Sequence, residues 1–420
     1  MLVQFRFKNF KSFRDDNILD MSATKITEFA DRVVSIGNEK LLTAAAIYGA
    51  NASGKSNVID AFRYMGTYVI NSFAFGGDSD KKDSKGAKLK FTPFLFDPDS
   101  RDGVSLFEIY FIGDKEHSFK TFNYGFSLDR DGVVEEWLNS KAKTAKEYSS
   151  IFYRNRKEDV LDLSGIARKS QENISIALEK ETLVVSLGAK LKIDKLKYIR
   201  DWFFSTNLAN FGNPIENVVL SSVLPDHFVD DVNVQENVVK FISSFDKSII
   251  GFDVEEKEKD IDGAGSIKIE AVHRLVGGGT ASIPLVDESE GTQKMFALYQ
   301  GLHNALENGS VLFIDELNAR LHPLLVRNFI LTFLNPEINK NHAQLIFTTH
   351  DSWQLANNLL RRDEIWFTEK DGDGVSVLYS LADFVDEDGL KIRKDESYEK
   401  NYLLGKYGAI PTLEYFDMFN

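Results

Sequence analysis

One local pattern restricts this chain more than any other. Residues 45–62 read AAIYGANASGKSNVIDAF: an apolar run, a glycine-bounded loop and an amphipathic stretch in immediate succession. Residues 41–48 are apolar apart from Thr43, which suits a strand buried on both faces of a sheet. Val58, Ile59, Phe62 and Met65 then recur at helical spacing, so a helix is predicted to begin near Lys55.

The loop Gly49-Ala50-Asn51-Ala52-Ser53-Gly54-Lys55-Ser56 satisfies GxxxxGK followed by Ser or Thr, in the strand-to-helix context that the pattern requires. Glycines let the backbone curl so that successive N–H groups point at an anion, and the positive end of the following helix adds to the attraction. Lys55 would reach the β and γ phosphates of a nucleoside triphosphate, and the Ser56 hydroxyl would ligate Mg2+. Gly49, Asn51, Ser53 and Gly54 would complete the cradle.

Such a loop needs a carboxylate at the end of a neighbouring strand. Val311-Leu312-Phe313-Ile314-Asp315-Glu316 offers four apolar residues for a central strand and two acids at its carboxyl edge, where ligands sit in open α/β sheets. Asp315 is the candidate metal ligand, and Glu316 the candidate general base that polarises the attacking water. Residues 345–351, LIFTTHD, predict another buried strand ending in a histidine. Alone, such a histidine is most often structural, but beside the acidic strand His350 stands where a γ-phosphate can be sensed. Upstream, Ser289-Glu290-Gly291-Thr292-Gln293 opens a helix carrying Met295, Phe296, Leu298 and Leu302. Taken singly this is an ordinary N-cap; with the rest of the set it is another anion-binding helix start.

The order of phosphate loop, SEGT, acidic strand end and histidine resembles the ABC-type ATPases, especially the soluble branch that includes SMC and RecF proteins. The opening Phe7-Lys8-Asn9-Phe10-Lys11-Ser12-Phe13 is similar to the start of that branch, as is the loop extended to Asn57. Residues 93–97 (PFLFD), 135–138 (EEWL), 315–323 (DELNARLHP) and 407–411 (YGAIP) resemble stand-alone ATPases of phage defence, nearest to RloA and AbiLii-like abortive-infection ATPases and more distantly to the ATPase half of OLD-family nucleases. The resemblance covers roughly 1–155 and 265–420. It implies ATP with Mg2+ and head-to-head dimers, in which Ser289 and Gly291 of one subunit face the phosphate loop of the other and His350 acts as the switch histidine. Asn57 joins the nucleotide-binding set on the same ground. Glu290 departs from the glycine of the transporter-type signature, a carboxylate that must point away or be paired. No glutamine is identified as the Q-loop residue.

The expected fold is α/β, an ABC-type P-loop ATPase head with a mixed sheet, an antiparallel β subdomain and a helical insertion. Residues 1–155 form the N-terminal lobe with the phosphate loop and the antiparallel subdomain, 156–250 the helical insertion, and 251–420 the C-terminal lobe. Residues 2–8 alternate, with Val3, Phe5 and Phe7 on one face; residues 91–154 read as aromatic strands joined by hairpins, with Asp131-Gly132 a tight turn. In the middle segment 190–204 reads as a helix, Gly212-Asn213-Pro214 as a break, and no heptad repeat is sustained enough for a coiled coil.

Composition narrows the function. A chain of 420 residues with 43% hydrophobic and 27% charged residues is ordinary for a folded protein. The absence of cysteine excludes disulfides and thiolate metal sites and suits a reducing cytoplasm. No run approaches the ~20 apolar residues that cross a bilayer, so no membrane partner is expected. A net charge of -14 argues against a surface that grips nucleic acid everywhere, although 76–90, with five lysines, offers a local basic patch. No second catalytic constellation follows the ATPase set, since Asp383, Asp386 and Asp388 read as loop acids. The expectation is an ATPase acting as a dimer or higher homo-oligomer, a sensor or regulator in anti-phage defence that controls a separate effector, a nuclease. The alternatives are a RecF- or SMC-like DNA-repair ATPase and an ATP-stabilised scaffold with little turnover.

Overall fold

Strands that alternate, or that bury both faces, account for most of the framework. The computed structural model describes residues 1–75, 89–213, 215–216, 224–256, 267–385 and 389–411. Its strands begin with β1 (Leu2–Lys8), β2 (Asn17–Asp20), β3 (Val34–Ile36), β4 (Glu39–Leu41) and β5 (Ala44–Gly49). There follow β6 (Ser105–Ile112), β7 (Thr121–Asp129), β8 (Gly132–Lys141), β9 (Ser149–Asn155), β10 (Val160–Asp162) and β11 (Asn207–Asn210). The rest are β12 (Ile249–Glu256), β13 (Ile267–Arg274), β14 (Thr280–Pro284), β15 (Val311–Asp315), β16 (Gln344–Thr348), β17 (Ile365–Lys370) and β18 (Ser376–Ser380).

The central sheet runs β11-β15-β16-β5-β17-β18. Its first five strands are parallel and β18 returns antiparallel along β17, so the sheet is mixed. β5, β15 and β16 are buried at every residue, which is why they read as unbroken apolar runs. The phosphate-loop strand β5 and the acidic strand β15 are separated by β16, which brings three strand ends to one edge.

One face of this sheet receives the helix Lys55–Asn71, whose Phe62 stacks on Phe313 at 4.2 Å between ring centroids. That helix lies in turn under a seven-stranded antiparallel sheet, β10-β9-β8-β7-β6-β1-β2, through contacts such as Phe5 with Phe62. The opposite face, with Leu312, Ile314, Leu345 and Phe347, packs on the helices Glu290–Asn308, Pro323–Leu334 and Tyr398–Leu403. A third core joins Phe296 and Tyr299 of helix Glu290–Asn308 to β12, β13 and helix Val232–Ser243.

Several details depart from the sequence reading. A register shift between Leu2 and Gln4 turns Leu2 inward and leaves Val3 half-buried. The run 41–48 divides, because Leu41 ends the β3–β4 hairpin and the central strand begins at Ala44. The two-residue turn after β7 is Arg130-Asp131, with Gly132 already paired to Asp129. Residues 190–204 break at 191–193, between helices Val184–Lys190 and Asp194–Phe204. The middle segment is more than helical: β11 is the edge strand of the central sheet, paired with β15 from Asn207–Leu312 to Asn210–Asp315. Residues 76–88 of the lysine-rich stretch, with Pro214, Asp386 and Asp388, lie outside the described residues. Among the described residues no helix is long and apolar enough to cross a membrane.

A buried side chain ties the two large sheets where β16 begins. Gln344, at the start of β16, accepts from the Leu2 N–H at 2.6 Å and donates to the carbonyls of Leu2 and Leu42 at 2.9 and 3.0 Å. Gln344→Leu leaves these backbone groups unpaired in the interior, at about 1–3 kcal/mol for each such group. Urea unfolding of this variant is expected to show a loss on the order of 3 kcal/mol, with the slope unchanged.

Candidate functional site

The loop after β5 is shaped as much by its neighbours as by any ligand. A Cβ at Gly49 would stand 2.5 Å from the Thr368 carbonyl, and one at Gly54 would stand 2.7 Å from Ser376 Oγ. Gly54 also sits at φ 113, a conformation closed to other residues, and caps the helix that starts at Lys55. Both motif glycines are thus required by the close approach of β17 and β18. Ala52 takes the left-handed region at φ 64, a strain of about 1–2 kcal/mol held by the surrounding turn.

Lys55 is buried, and its ammonium donates to the carbonyls of Gly49 at 2.8 Å and Ala50 at 2.9 Å. Burial lowers its pKa to about 8, against the pull of Asp315 and Glu316, which favour the charged form. Ser56 is half-buried at the first turn of the helix, and Asn51 is exposed on the loop. The Ser53 hydroxyl is shared with Thr368 Oγ1 at 2.6 Å, so this side chain is occupied by the fold. Asn57 donates to Ser12 Oγ at 2.8 Å, tying the helix to the turn that follows β1.

Asp315 ends β15 and is almost fully buried. Its Oδ1 accepts from the Thr348 hydroxyl at 2.5 Å, while the same hydroxyl accepts from the Glu316 N–H at 2.8 Å. Thr348 therefore fixes both acidic residues. Glu316 is half-buried with φ 55, a left-handed backbone that turns it out of the strand direction. Asn318 Oδ1 accepts from Thr349 Oγ1 at 2.9 Å and from the His350 N–H at 3.2 Å, which sets the histidine after β16. Its imidazole pKa is lowered by partial desolvation and by the Lys55 ammonium, against Glu316 and Asp315, so it is neutral at physiological pH. Lys55, Asp315, Glu316 and His350 thus lie within each other's electrostatic reach.

Ser289 caps helix Glu290–Asn308 by accepting from the Thr292 N–H at 3.1 Å. At Gly291 beside it, an added Cβ would meet Arg320 O, Ser289 Oγ and Leu321 only at ordinary van der Waals distance. This helix packs on the face of the central sheet opposite the Lys55 helix, and its first turn meets the turn after Glu316 through the Glu290–Arg320 pair. The unexpected carboxylate of Glu290 is paired with Arg320.

Thr348, Asn318, Lys294 and Gly212 escaped the sequence reading. Thr348 and Asn318 stood inside stretches already singled out, and a polar residue at a buried strand end was the available signal. Lys294 interrupts an apolar helix face, donates to Phe211 O at 2.9 Å and Ala319 O at 3.2 Å, and has its pKa lowered by desolvation. Gly212 read only as part of a break in the chain, and its missing side chain leaves room for the Glu316 carboxylate.

Residues 44–352 match the family described as "AAA domain, putative AbiEii toxin, Type IV TA system". The chain belongs to that AAA-domain family. Among solved structures it is similar to an SMC head bound to the C-terminal winged-helix domain of ScpA, at 15% identity and a TM-score of 0.39, covering 90% of this chain and 97% of the other. No curated protein matches. Membership in the AAA-domain family and the order of the central sheet make the fold that of a P-loop ATPase. The donor set fits a magnesium nucleotide: an ammonium and helix N-terminus for phosphate, and one hydroxyl and one carboxylate for a hard cation that keeps its remaining oxygens from water and phosphate.

The lowered Lys55 pKa carries a pH dependence. Phosphate binding takes the ammonium, so above about 8 the free AAA-domain protein must first gain a proton. Affinity for a fluorescent ATP analogue, titrated from pH 7 to 9.5, is expected to fall about tenfold per unit beyond that point. Lys55→Arg, whose guanidinium stays charged, should bind more weakly and without this slope.

Proposed function

We propose that this chain is a Mg-dependent ATPase of the ABC type that closes as a homodimer around ATP. It acts as a sensor and regulator in anti-phage defence and controls a separate effector, a nuclease. The observation that carries the dimer is the arrangement of the two anion-binding helix starts on opposite faces of one sheet. A helix start on the face away from its own phosphate-loop helix suits a loop supplied by a second copy. The family's description as a putative toxin of a type IV toxin–antitoxin system favours the defence role.

In this reading the phosphate-loop N–H groups and Lys55 bind the β and γ phosphates, Ser56 and Asp315 hold the metal, and Ser289 and Gly291 complete the site from the partner. Bound Mg2+ supplies charge neutralisation at the phosphate oxygens. Glu316 takes a proton from the attacking water while His350, neutral and beside Lys55, hydrogen-bonds the γ-phosphate. The left-handed backbone at Glu316 turns the chain out of the strand direction, and its carboxylate lies against Gly212, while Asp315 is held by Thr348. The Glu290–Arg320 pair neutralises the carboxylate that would otherwise face a triphosphate. Residues 1–155 and 251–420 form the ATPase lobes of a cytoplasmic protein, and 156–250, which lends β11 to their central sheet, is otherwise where partners bind.

Light scattering on size-exclusion fractions tests the dimer. Glu316→Gln with Mg-ATP is expected to double in mass relative to the nucleotide-free protein, because blocked hydrolysis traps the closed state. Adding Ser289→Arg should return it to the monomer mass, and a mass indifferent to ATP in Glu316→Gln would overturn the dimer.

A further inference from the structure

A segment outside the recognised motifs reaches the hydrolytic centre. β11 comes from the middle of the chain, yet it is hydrogen-bonded along β15, with Asn210 level with Asp315. Past its end, the Phe211 N–H donates to the Asp315 carbonyl at 2.9 Å. The Phe211 carbonyl accepts from the buried Lys294 ammonium, which also holds Ala319 in the turn after Glu316. The next residue is Gly212, where a Cβ would stand 2.4 Å from Glu316 Oε2 and 3.0 Å from Oε1. Asn213 Oδ1 accepts from the N–H groups of Ile215 and Glu216, and Glu216 pairs with Arg63 of the Lys55 helix at 2.7 Å. Residues 207–213 with Glu216 therefore form a strap fastened to the phosphate-loop helix, the acidic strand and the Ser289-capped helix.

We infer that this strap is a wall of the catalytic centre and that Gly212 is a positioning residue, which sets the Glu316 carboxylate by being the one side chain short enough to lie beside it. This rests on Glu316 being the general base. The atoms in conflict with a Cβ at 212 belong to the Glu316 side chain and not to any backbone, so a methyl group there is relieved by swinging the carboxylate aside. Backbone pairing of β11 need not break. The consequence is a base displaced by an ångström or more in an otherwise intact site, for which a loss of about a hundredfold in turnover is usual.

Steady-state ATP hydrolysis by Gly212→Ala in the full chain tests this. The expected result is kcat lowered about a hundredfold with KM nearly unchanged, and an ATP-dependent rise in mass like that of Glu316→Gln. Because Gly212 acts through Glu316, adding Gly212→Ala to Glu316→Gln should leave the residual turnover where it was. A kcat within twofold of wild type, or an equal loss in both backgrounds, overturns the positioning role. Wild-type turnover no higher than that of Glu316→Gln overturns the assignment of the base itself, and the positioning role with it. If Gly212→Ala does not fold, Lys294→Met, which keeps the stem and releases the strap carbonyl, should lower kcat severalfold at constant KM. An unchanged kcat in that variant overturns the proposal.

Discussion

The register of the parallel strands governs everything at the nucleotide edge. Asn210 lies beside Asp315, Phe347 beside Ile314, Thr348 beside Ile47 and Thr368 beside Gly49, so five strand ends open on one line. Between the sheet's two apolar faces there is no room for unpaired charge, and polar chemistry collects where the strands stop. An ammonium, two carboxylates and an imidazole meet there. Lys55 keeps much of its charge through Asp315, Glu316 and two loop carbonyls, and partial burial together with that ammonium lowers the His350 pKa. A slip of one residue in any of these pairings would turn the strand over and remove its member from the group.

The parts of this arrangement legible in the sequence are those whose physics is local. Glycine at 49 and 54, a basic residue at the helix start and an apolar run ending in Asp315-Glu316 each declare themselves within a few residues. The same holds for helix Glu290–Asn308, whose capping serine and apolar spacing were readable together. β11 was illegible for the opposite reason. Its four residues bury only Ala209, so neither alternation nor an apolar run marks them, and only the partner strand a hundred residues away makes them a strand. Thr348, Lys294 and Gly212 are defined likewise by what lies across from them. Ser53 is the reverse case, a motif residue whose hydroxyl is bound to Thr368. A consensus position records a constraint without saying whether ligand or fold imposes it.

The Glu290–Arg320 pair shows how a departure from a motif is absorbed. A carboxylate in the first turn is favourable to a helix N-terminus, yet unfavourable to an anion that binds there. Arg320 answers both demands by lying over the acid from the turn that follows Glu316. Both partners are largely exposed, so the pair adds little to stability. Its effect is instead to join the first turn of the Ser289-capped helix to the segment that carries the candidate base.

Lys294 makes the same connection from below. One buried ammonium holds the carbonyl of Ala319, in that turn, and the carbonyl of Phe211, in the strap. A desolvated lysine whose direct partners are two carbonyls, with the Glu316 charge favouring its ammonium form, depends on that carbonyl geometry, so a shift of either segment by an ångström would cost it a charge-assisted hydrogen bond. The helix that would face a second copy, the turn behind Glu316 and the strap out of the middle of the chain are therefore hard to move one at a time. Opposed helix starts make the proposed site a property of two chains; the shared ammonium makes the position of its base a property of three segments within each. Closure of the proposed dimer and alignment of the proposed base would then become one event, and the middle segment, through the strap, would be the part of the chain with leverage on both.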